Sequence, residues 1–136
     1  ELQKDNGYYN LHFNSPKADF RGIQPAENAN PDWYLFKSSP KHKSFFKWDI
    51  EGEYGRFASD SLKDICINLL SSQDDASCKE LVQKCEEKYG KIYKTIETPQ
   101  SVIYQWEAPN ATFSVILIND TKEPGKFVVR AVYSAV

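Results

Sequence analysis

The residues able to do acid–base, nucleophilic or metal chemistry in this 136-residue chain are few: two histidines, His12 and His42, and three cysteines, Cys66, Cys78 and Cys85. A Ser–His–Asp set needs a histidine beside its nucleophile. His12 falls in an alternating apolar–polar segment and His42 between two lysines, Lys41 and Lys43, so a solvated or edge histidine is the expectation for both. Nothing local to Cys66 would lower its pKa and make it a nucleophile. Cys78 and Cys85 are seven residues apart on one helix, about 10.5 Å of rise, too far to share one metal ion or to form a disulfide. Any bridge would have to join Cys66 to one of them; the simpler expectation is two small core cysteines and a free or partly covered Cys66. The glycines are scattered and cradle no phosphate, and the paired acids Asp74 and Asp75 are explained as helix-start residues. We therefore expect no enzyme, no cofactor and no metal.

The most marked local composition is a basic, aromatic stretch: Trp33, Lys37, Lys41, His42, Lys43, Phe45, Lys47 and Trp48. Lysines flanked by rings would anchor an acidic protein surface, because aromatic residues dominate interface energetics. The plainer alternative is a solubilising turn on a hairpin whose rings are core or whose lysines guard an edge. A net charge of −2 argues against a general nucleic-acid binder, and no apolar run reaches the length of a membrane span.

These residues are positioned by elements legible from period and punctuation. Between residues 74 and 89, Cys78, Leu81, Val82, Cys85 and Tyr89 form one stripe at helical spacing, with charges filling the other positions. Two capping boxes compete for its start, Ser72 with Asp75 and Ser77 with Glu80; the earlier is preferred because it places Asp74 and Asp75 in the first turn. Gly90 closes it. Residues 62–70 alternate as a half-buried strand with Ile65, Ile67 and Leu69 inward, and Asp64, Cys66 and Asn68 outward. After the helix, residues 91–97, 101–107, 111–119 and 126–135 read as strands joined by hairpin-length turns.

Alternation in those strands gives two faces. Val102, Tyr104, Trp106, Phe113, Val115, Leu117, Phe127, Val129, Ala131 and Tyr133 belong under the helix. The other face carries Ile103, Ile116, Ile118, Val128, Arg130 and Val132, unusually aliphatic for an open sheet surface. Either the N-terminal segment covers it or it is an interface, a homodimer contact included.

Earlier in the chain, residues 1–7 read as loose, 8–13 as a strand pairing at the sheet edge, 24–31 as loop, and 33–37 and 44–51 as a hairpin. Residues 51–55 then read as the turn out of that hairpin. No linker or repeat divides the chain, so residues 1–136 form a single α+β domain: one principal helix packed on a mostly antiparallel sheet of five to seven strands.

Several short patterns, Phe20-Arg21-Gly22-Ile23, Lys88-Tyr89-Gly90-Lys91, Tyr104-Gln105-Trp106, residues 113–117 and Val132-Tyr133-Ser134, resemble those of small bacterial envelope domains. In shape these are similar to half of a β-lactamase inhibitor protein, with a helix on one face of an antiparallel sheet. The chain departs from that pattern in having no clear helix after Gly22. The resemblance implies a binding or assembly module and carries over no functional residue.

The chain begins at Glu1 and contains no methionine, as a processed or trimmed product would; its two glycosylation sequons, at Asn110 and Asn119, are what chance supplies among eight asparagines and decide nothing. A removed signal peptide and a periplasmic or secreted location are the matching expectation. The functional expectation is a non-enzymatic protein-binding module of inhibitor, immunity or assembly type, docking through the basic aromatic hairpin or the open sheet face. The alternative is a carrier of a small apolar ligand, with a pocket between helix and sheet lined by Tyr89, Tyr104 and Trp106.

Overall fold

A computed structural model describes residues 7–8, 11–20, 23–25, 33–36 and 44–135. The strands are β1 (Gly7–Tyr8), β2 (Leu11–His12), β3 (Ile23–Pro25), β4 (Trp33–Phe36), β5 (Ser44–Phe45), β6 (Trp48–Ala58), β7 (Ser61–Leu69), β8 (Gln73–Asp74), β9 (Lys94–Glu97), β10 (Ser101–Ala108), β11 (Ala111–Asn119) and β12 (Lys126–Ala135); the helix α1 (Asp75–Tyr89) lies between β8 and β9. The α+β architecture is as the sequence suggests, but the sheet is larger than five to seven strands. It is 10-stranded, its main path running β3-β4-β6-β7-β12-β11-β10-β9, with β5 on β6 and β8 on β12. Every pairing is antiparallel.

The surplus strands come from the N-terminal half, where turn chemistry misleads. Residues 51–55 are not a turn: they lie inside β6, which runs unbroken through Gly52 and Gly55. A register shift between Ile50 and Gly52 absorbs one residue as a bulge. The reversal out of β6 comes later, at Ser59 and Asp60, both at positive φ (51° and 65°), the geometry of a two-residue hairpin turn. The expected strand over residues 44–51 is likewise broken by a turn at Phe46 (φ 55°) and Lys47. Residues 8–13 do not join the sheet edge as one strand, since β1 and β2 pair with each other.

The helix is capped two residues later than the preferred Ser72. Asp74 is its N-cap, accepting from the Ser77 amide at 2.7 Å, so neither serine capping box is used. It ends at Gly90, whose φ of 94° suits glycine. Cys78, Leu81, Val82 and Cys85 are buried against the sheet, and Tyr89 packs at the margin. The facing layer is Ile65, Ile67 and Leu69 of β7, Trp106, Phe113, Val115, Leu117, Val129, Ala131 and Tyr133. Val102 and Tyr104 are half-buried, and Phe127 packs against the core. Strand alternation thus gives the correct faces throughout the C-terminal half. Glu53, opposite Ile67 on β6, is a buried carboxyl on the helix side, 1% exposed.

At the far end of the sheet the core is aromatic. Phe20 stacks on Phe36 and Phe57 with centroids 5.3 and 5.6 Å apart, and Tyr34 meets Phe57 at 5.7 Å. Lys17 lies 3.9 Å over the Tyr34 ring and donates to its hydroxyl.

Candidate partner-binding face

The side of the sheet away from α1 is a broad surface whose composition follows from register. Ile96, Ile103, Ile116, Arg130, Asn68 and Gly52 stand in one cross-strand row over β9, β10, β11, β12, β7 and β6. A second row sets Ile118 beside Val128, and a third sets Ser114, Val132, Cys66, Tyr54 and Leu35 in line. A fourth runs Thr112, Ser134, Asp64, Arg56 and Trp33. The isoleucines and valines of these rows are half-buried, whereas most of their neighbours on the opposite side are buried.

The candidate residues divide sharply. Ile116, Ile118 and Arg130 stand on this face, the first two half-buried and Arg130 exposed. Trp33, half-buried and paired with Arg56 at β4, is on the same face, four strand steps from β11, about 19 Å away. Phe45 and Trp48 are core residues, 3% and 6% exposed. The β5–β6 hairpin turns its rings inward: Phe45 faces Phe113 at 6.1 Å, and Trp48 Nε1 donates to Ser77 Oγ on α1 at 2.8 Å. Lys47 ion-pairs with Glu80 at 2.6 Å, tying the same hairpin to the helix. Phe46, at the turn, is 36% exposed. Lys37, Lys41, His42 and Lys43 lie outside the described residues. The expected hairpin of residues 33–37 with 44–51 does not form: β4 pairs with Tyr54, Gly55 and Arg56 of β6, so Trp33 stands on the helix-free face while Phe45 and Trp48 turn to the helix side.

Sequence reasoning missed the half of this face built by β6. Arg56 and Asp64 form an ion pair across β6 and β7, and Tyr54 sits beside Cys66. The signal was present, in the alternation of residues 62–70 that turns Asp64, Cys66 and Asn68 outward, but residues 51–55 read as a turn hid their neighbours.

The chemistry of the face is that of contact. All three cysteines are free. Burial pushes the Cys66 thiol up to about 11, against a smaller opposing pull from Arg130, and its Sγ donates to Asn68 Oδ1 at 3.6 Å. Burial likewise raises Cys78 to about 11 and Cys85 to about 12. Such thiols stay protonated near neutrality and are poor nucleophiles and poor targets for oxidation, so they carry no information about redox compartment. Among the described residues no group of His, Cys, Asp and Glu is arranged to hold a metal ion, and no helix is long and apolar enough to cross a membrane.

Two of the three residues expected to line a ligand pocket pack against the aromatic core. Tyr89 packs on Phe113 at 4.8 Å and shares a 2.8 Å hydrogen bond with the Tyr133 hydroxyl. Trp106 stacks on Phe113 at 5.5 Å and donates its indole N–H to the Gly90 carbonyl at 2.9 Å. Rings in mutual contact fill the layer between helix and sheet at this end.

Comparison with protein-family models, with curated proteins and with solved structures finds no match to this chain.

Proposed function

We propose that this protein is a non-enzymatic binding module that works outside the cytoplasm and docks a protein partner on the helix-free face of its sheet. The observation that carries this reading is the half-buried aliphatic cluster Ile96, Ile103, Ile116, Ile118, Val128 and Val132, side by side on four adjacent strands. A sheet with one solvated face ordinarily alternates apolar with polar, and contiguous apolar surface of this kind marks an interaction site. Trp33 stands on the same face at β4. Filled packing around Trp106 and Phe113 ranks the ligand carrier second. The resemblance to small envelope binding domains points the same way.

The test is affinity capture from the native source with three baits: the wild type, Ile116→Lys/Ile118→Lys and Trp33→Ala/Lys41→Ala/Lys43→Ala, each checked for folding by circular dichroism. A protein retained by wild type and lost from the isoleucine variant is the expected result. Loss from the second variant alone would move the site to the basic segment. Equal retention by all three, or no specific protein, would overturn the reading.

A further inference from the structure

We propose that Arg130 is the ionic anchor of the open face and that the partner surface it recognises is an apolar protein segment carrying a carboxylate. This rests on the docking reading above and adds the chemistry of the partner.

Arg130 is exposed near the middle of β12, opposite Ile116 on one side and Asn68 on the other, with Val128 and Val132 two residues away on the same face. Aliphatic side chains thus flank it along β12 and on the β11 side, with Asn68 and Cys66 of β7 on the other. The neighbouring carboxylate on the face, Asp64, is engaged by Arg56. Among the described residues Arg130 itself makes no ion pair. A partner that covered the isoleucines without offering an acceptor would strip water from this cation uncompensated, which costs more than the apolar contact returns. A partner presenting an aspartate or glutamate at that point satisfies the guanidinium through two parallel hydrogen bonds, and arginine within a desolvated apolar ring is a characteristic binding hot spot.

The same geometry disfavours the other occupants. A two-fold axis passing at Arg130 would bring two of these cations together, which disfavours that arrangement of a second copy. Among the described residues the cations on this face outside the Arg56–Asp64 pair are Arg130, Lys94 and Lys126, too few on a chain of net charge −2 for a phosphate polymer or an anionic membrane.

The test is selection of a phage-displayed random dodecapeptide library on immobilised full chain, in three forms: wild type, Arg130→Glu and Ile116→Lys. Wild type is expected to enrich peptides with Asp or Glu inside an apolar run, and Arg130→Glu to enrich Lys or Arg in its place. A synthetic peptide from the wild-type pool should bind Arg130→Gln about tenfold more weakly or worse, and lose binding to Ile116→Lys. Peptides lacking an acid, bound equally by wild type and Arg130→Gln but lost on Ile116→Lys, would overturn the anchor and leave the docking face standing. Binding indifferent to Ile116→Lys would overturn the face itself. No enrichment on wild type would overturn the proposal.

Discussion

Phe36 lies directly over Gly55: a Cβ at residue 55 would stand 2.4 Å from Phe36 Cζ and 2.8 Å from Leu62 Cδ1. The glycine is there so that an aromatic ring from β4 can press on the backbone of β6. Gly55→Ala is therefore expected to destabilise by about 1–3 kcal/mol through overpacking. Urea denaturation checks it, and Phe36→Leu should recover part of the loss in the double variant, a coupling that distant sites would not show.

Asp74 and Ser77 join the helix start to the β5–β6 hairpin, through the cap at the Ser77 amide and through Trp48 Nε1 on Ser77 Oγ. Asp74→Ala should cost about 1 kcal/mol by loss of the cap. Ser77→Ala keeps the cap and frees the buried indole N–H, for about 1–3 kcal/mol. Both are read as shifts of the denaturant midpoint, with the tryptophan near-ultraviolet signal changing only in Ser77→Ala.

The thiols set an alkaline limit. Folded pKa values raised by burial to about 11 for Cys66 and Cys78 and about 12 for Cys85, against an ordinary 9.0, mean that the unfolded chain loses these protons first. Their contribution is complete below pH 9 and disappears as pH rises toward 11–12. Denaturation under reducing conditions should show stability falling between pH 9 and pH 11, less steeply in Cys85→Ala once its own cavity cost at pH 7 is subtracted. Thiol labelling at pH 8 should be slow until denaturant is added.

Asp120 behaves oppositely. The Ser72 hydroxyl, then the Lys122 amide, hold its carboxyl below the ordinary value. Its contribution is present above the ordinary carboxylate range and is lost as pH falls through the lowered folded value. Carbon-detected NMR titration should place Asp120 below 3.8, and Ser72→Ala should move it upward.

By itself the sequence determined most of the C-terminal half: helix stripe, closing glycine, strand limits at β11 and β12, and which side chains of β10–β12 face the helix, though not the N-cap. Each of these depends on neighbours a few residues away, where period and turn chemistry act directly. The tertiary structure alone decided the rest. Gly52 and Gly55 read as turn residues because local preference says so, yet a bulge and the Phe36 ring demand them within a strand. Phe45 and Trp48 read either as partner-binding rings or as core until α1 and Phe113 supply the contacts that bury them. Most of all, β12 lies between β11 and β7, and no local pattern announces a pairing across some 60 residues of chain that closes only when the apolar faces meet. That pairing places Arg130 between Ile116 and Asn68, and so makes a surface out of residues that the sequence leaves far apart.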